Sequence, residues 1–203
     1  MAFSFVFPFL LMMALCQKGL MMSGRSPKGW VPILLISSIS GLVVILPIGG
    51  LSVARWLFSL YPNPSIPITA LLFSWVVKNA FSIEILDPAA IQTCRIFSLT
   101  AGLALYPMAL GIGSLDPYSA GWHFSWLFVI LLLITLILIF FRNRFSVVLL
   151  ATILAYNLSL LESCNLWDYI LDPVLVIISM AGLILRIGKR PKRQRTSISL
   201  NRT

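Results

Sequence analysis

Glu162-Ser163-Cys164-Asn165-Leu166-Trp167-Asp168-Tyr169-Ile170-Leu171-Asp172-Pro173 is the stretch on which the reading of this chain turns. It holds three of the six acidic residues in the sequence and lies between two long apolar runs. A polar island of that length between apolar runs reads as a short loop at one face of a membrane.

Composition points the same way. Hydrophobic residues make up 59% of the 203 positions and charged residues 10%, with a mean hydropathy of +0.98. An ordinary water-soluble domain carries about 25% charged residues. The net charge of +9 raises the question of nucleic acid. About half of the basic residues, however, fall in the last 18 positions, and the others flank apolar runs. That is a pattern of topology signals, so no nucleic-acid partner is expected. The three cysteines, Cys16, Cys94 and Cys164, are odd in number and far apart, which suggests neither a disulfide framework nor a zinc site.

Outward from the quoted stretch, six apolar segments read as spans: 31–51, 67–86, 95–113, 124–141, 145–161 and 172–187. Residues 3–15 are apolar but short, and read as a short or re-entrant N-terminal helix, with a seventh span as the alternative. The expected fold is therefore an all-α integral membrane protein, a polytopic bundle of about six transmembrane helices plus that N-terminal helix. Three regions follow: a hydrophobic segment and basic loop (1–30), the helical bundle (31–187) and a basic tail (188–203). With the tail placed in the cytoplasm, Lys18, Arg25, Lys28, Arg95, Arg142 and Arg144 fall inside, and Arg55 alone falls outside. Asp116, His123, Glu162, Asp168 and Asp172 then gather at the outer face, with Trp56, Trp122, Trp126 and Trp167 as an aromatic belt. The location implied is a multi-pass protein of a cell membrane, by default a bacterial inner membrane, with a cytoplasmic C-terminus. The tail is expected to lie on anionic lipid.

Within the spans, Ser37 and Gly41 form a small-xxx-small pair suited to close helix packing. Pro107 should kink the third span. Lys78 is read as snorkelling or paired, with a substrate-contacting role as the alternative. Thr152, Tyr156, Ser159 and Ser163 fall at i, i+4, i+7 and i+11, a polar stripe for helix contacts or a cavity lining. The triplets Leu86-Asp87-Pro88, Leu115-Asp116-Pro117 and Leu171-Asp172-Pro173 repeat capping chemistry, because Asp accepts from orphan amides and Pro at the first helical position loses nothing.

Carboxylates with an imidazole are the ingredients of a site, so Glu162, Asp168, His123, Asp116 and Asp172 form a candidate outer group. Lys78, Tyr156 and Ser159 are the polar candidates within the spans. The spacings match no HExxH, DxD or calcium-loop pattern, and no GxSxG, phosphate-binding or dinucleotide motif occurs. No cofactor and no metal are expected. The function expected first is a non-enzymatic accessory or structural subunit with a membrane-protein partner in the lipid bilayer. Second stands a small transporter or channel subunit for a polar or lipidic solute. Third is an envelope enzyme acting on a lipid-linked substrate through the outer carboxylates.

Overall fold

The computed structural model describes residues 2–114 and 116–188. Beyond Gly188, the basic tail expected to meet anionic lipid lies outside the described residues. Among those described, the chain is a bundle of short α-helices: α1 (Val6–Met22), α2 (Trp30–Ile45), α3 (Val53–Leu60), α4 (Ile66–Phe81), α5 (Pro88–Ala109), α6 (Trp126–Phe140), α7 (Phe145–Asn157), α8 (Leu166–Ile170) and α9 (Pro173–Gly188). Two 3-10 turns, Ala2–Phe5 and Pro117–Gly121, and a small antiparallel hairpin of β1 (Pro47–Ile48) and β2 (Leu51–Ser52) complete it.

The expected transmembrane architecture is corrected by these lengths. No helix among the described residues is both long and apolar enough to cross a membrane. Four of the six apolar segments, 31–51, 67–86, 124–141 and 145–161, outrun their helices. Pro47 and the hairpin turn at Gly49-Gly50 end the helical part of 31–51 after Ile45. Ser82, in the left-handed conformation, caps α4 well before residue 86. Leu158 closes α7 before residue 161. Helices α2, α4, α6, α7 and α9 hold 13 to 16 residues, roughly 20–24 Å at 1.5 Å per residue, against a hydrocarbon thickness of about 30 Å. Helix α5 has 22 residues, but its first turns spend them on Gln92, Thr93, Arg95, Ser98 and Thr100. The N-terminal helix is longer than the apolar run suggested, reaching Met22 through Gln17 and Lys18. With no crossing helix among the described residues, the inside and outside assignment of the loops loses its basis.

Local chemistry explains the helix starts. Ser52, Ser65, Asp87, Ser125 and Asn165 each accept a backbone amide at the first turn of α3, α4, α5, α6 and α8. Pro88 follows its Asp cap at a position where no amide is lost. Pro107 lies inside α5, two residues before its last residue.

The bundle has two cores. The larger joins α4, α5, α6, α7, α8 and α9 through Cys94, Leu131, Phe145, Leu149, Leu166, Tyr169 and Leu175, all nearly fully buried. The smaller joins α1, α2 and α4 through Met13, Ile36, Val76 and Ala80. The pairing of α5 with α9 is the most extensive, and glycines set its closeness. A Cβ on Gly102 would stand 2.7 Å from a methyl of Val176, and one on Gly182 would stand 2.9 Å from the Arg95 guanidinium carbon. In the second core, Gly41 faces Phe9 while Ser37 Oγ meets Met13 Sδ at 3.9 Å, so the small-residue pair is where α1 and α2 touch.

Candidate functional site

The polar island of the sequence becomes the scaffold of a cavity. Asn165, fully buried, caps α8 by accepting from the Trp167 amide at 2.9 Å, and it donates through Nδ2 to the Tyr118 carbonyl at 3.0 Å. Trp167 donates through Nε1 to the Pro117 carbonyl at 2.8 Å. These bonds lock α8 against the Pro117–Gly121 turn. The two elements meet so closely that a Cβ on Gly121 would collide with the Asn165 side-chain oxygen.

That clamp brings two carboxylates to one wall. Asp168 accepts from the Tyr118 hydroxyl at 3.1 Å and from Ser163 Oγ at 2.5 Å. Asp172, only 4% exposed, accepts from Ser65 Oγ at 2.5 Å, from the Ser65 amide at 3.3 Å and from the Leu175 amide at 2.8 Å. Its partners are all neutral donors. With Tyr61, Asn63, Tyr106 and Pro173 the two aspartates line a cavity of about 410 Å³. Among the described residues no basic side chain lines it.

The electrostatics follow from that lining. Burial first, then the Asp172 carboxylate, pushes the ionisation of Tyr61 far above the ordinary phenol value. The Tyr61 hydroxyl is sealed from solvent and meets hydrogen-bond geometry with no described group, though it stands close enough to Asp172 to feel its charge. Tyr118 is pushed up to about 12, by burial and then by the charge and hydrogen bond of Asp168. All three phenols of the cavity stay protonated at neutral pH, as donors facing two acceptors.

The expected outer group is divided. Asp168 and Asp172 share the cavity, and Asp116 caps the adjoining turn by accepting from the Tyr118 amide at 3.0 Å. Glu162 is exposed, donates its amide to Asn63 Oδ1 at 3.2 Å, and lines a different groove with Arg55. His123 is exposed and makes no hydrogen bond or ion pair among the described residues. No group of three or more His, Cys, Asp or Glu side chains that could hold a metal occurs among the described residues.

The other polar candidates also separate. Lys78 is exposed and pairs with Glu84 at 2.6 Å. Tyr156 packs edge-on against Phe128 and Tyr169. Ser159 lies beyond the end of α7 with a positive φ, so the polar stripe breaks after Tyr156. Thr152 turns inward and donates to the Val148 carbonyl of its own helix at 2.8 Å. Trp167, assigned to the aromatic belt, is buried.

Sequence reasoning missed Ser65, Tyr61, Tyr106, Tyr118 and Asn165. Ser65 and Asn165 carried a local signal as caps, but their partners sit 107 and 47 positions away, where no periodicity reaches. Comparison with protein-family models, with curated proteins and with solved structures finds no match to this chain.

Proposed function

We propose that the chain is a non-enzymatic structural subunit whose apolar outer faces are covered by a protein partner in a larger assembly. The observation that carries this is α6. It has no charged residue, and of its 15 residues it buries only Leu127, Leu131 and Thr135. Ile130, Leu133, Ile137 and Phe140 stand exposed along about 15 Å of helix. Exposed faces of α2 (Val31, Leu35, Leu42) and α9 (Ile177, Ile184) repeat the pattern. Contiguous apolar patches beyond a few hundred Å² mark interaction surfaces. The divided carboxylates and the scattered polar candidates support a packing role over a catalytic one.

A photoreactive residue at Leu133, followed by isolation in mild detergent, tests this. Stoichiometric crosslinking to one protein, reduced by Leu133→Lys, supports the reading. Monodisperse recovery of the chain alone, with no crosslinked protein, sinks it.

A second reading rests on the cavity. Two carboxylates and three phenol rings, with no base lining the cavity among the described residues, form a chemistry suited to a small organic cation, through charge and the faces of the rings. Titration with tetramethylammonium, read by tyrosine fluorescence, tests it. No saturable change, or one unaltered by Asp168→Asn, removes it.

A further inference from the structure

At the opposite end of α9 from the aspartates, α5 and α9 open into a cleft of about 500 Å³ lined by Pro88, Gln92, Arg95, Gly182 and Arg186. We propose that this cleft binds a phosphate group. Among the described residues, two guanidinium groups line it and no carboxylate does. Arg186 donates to Gln92 Oε1 at 2.5 Å, which fixes its reach across the cleft from α9 to α5.

Arg95 is held by shape. Its guanidinium and Nε occupy the space over Gly182 that any larger residue would fill, so the charge is seated between the helices. Neither Arg95 nor Arg186 forms an ion pair among the described residues.

The carboxylates on the neighbouring loop are already engaged. Glu84 pairs with Lys78, and Asp87 accepts from the Ala90 amide at 3.0 Å. Arg144, from the α6–α7 turn, donates to the Glu84 and Ile85 carbonyls and adds positive charge to this end of the bundle. Planar guanidinium forks facing one space are the side chains suited to a phosphate oxyanion. The group recognised is a phosphate with free oxygens, whether on a soluble ion or on a lipid headgroup.

Calorimetry on the purified full-length chain tests the assignment with two probes: inorganic phosphate, and phosphatidylcholine vesicles with or without phosphatidic acid. Saturable binding of inorganic phosphate assigns a soluble ligand. Binding only to phosphatidic acid vesicles assigns a headgroup. In either arm, Arg95→Gln weakens binding by about tenfold or more, while Arg95→Lys weakens it less. The double variant Arg95→Gln/Arg186→Gln, with circular dichroism and melting unchanged, abolishes it. Vesicle binding carried by the terminal basic residues survives these changes. Full retention of affinity in the folded double variant, or no binding of either probe to the unaltered chain, overturns the proposal.

Discussion

Ser65 and Asp172 stand 107 positions apart and share a hydrogen bond of 2.5 Å from the serine Oγ to the aspartate Oδ2. Ser65 is the N-cap of α4, and Asp172 precedes α9, where it accepts the Leu175 amide. One contact therefore fastens the starts of two helices. Ser65→Ala removes a donor to a buried carboxylate and should cost about 1–3 kcal/mol in denaturant unfolding. Asp172→Asn should cost more, because its amide group would face the Ser65 amide, donor against donor. Equal stability of both variants and the parent would contradict this account.

Gly121→Ala should be severely destabilising. The added carbon would collide with Asn165, whose oxygen and nitrogen hold the Trp167 amide and the Tyr118 carbonyl. Overpacking typically costs about 1–3 kcal/mol, and loss of the buried amide's bonds adds to it. The double variant Gly121→Ala/Asn165→Ala should recover part of the loss. Thermal melts of the three variants check this; simple additivity would mean that the two residues do not touch in solution.

The Lys78–Glu84 pair should contribute little. Its side chains are 57% and 45% exposed, and exposed pairs are worth about 0–1 kcal/mol. Glu84→Gln should shift the unfolding midpoint slightly, and less still at high salt. A large, salt-independent loss would require Glu84 to hold something else.

Alkaline pH should loosen the cavity wall. The unfolded Tyr118 phenol ionises near 10, and the folded one is held up to about 12. Between those values the folded state keeps a proton that the unfolded state has lost. Its contribution to stability is complete below pH 10 and falls as pH rises toward 12. Phenolate absorbance should show tyrosines titrating late, and Tyr118→Phe should flatten the alkaline fall in stability. A single ordinary titration of all five tyrosines would remove the buried donors from the picture.

Helix positions were legible because apolar runs and caps are local signals. Asp87-Pro88 announced the start of α5, and Ser37 with Gly41 announced a close helix contact, though not that its partner would be α1. Helix length was not legible. Apolar residues continue past Ile45 into a hairpin and past Asn157 into a turn, so hydropathy alone counts them as one segment. The site was half legible. Asp168 and Asp172 stood out as rare charges, whereas Tyr61 and Tyr118 resembled any surface aromatic until the turn at 117–121 folded onto α8. Glu162, a few residues from Asp168 in sequence, was misgrouped because the chain bends at Ser159 and again before Asn165.

Five of the six tryptophans (Trp30, Trp56, Trp75, Trp122 and Trp126) are exposed, and only Trp167 is buried. Its indole also forms part of the clamp that shapes the aspartate cavity. The chain thus carries a built-in optical gauge of that clamp. A soluble quencher should silence most of the emission and leave a blue-shifted residue from one ring. Any ligand, partner or substitution that parts α8 from the neighbouring turn should move that residual signal first.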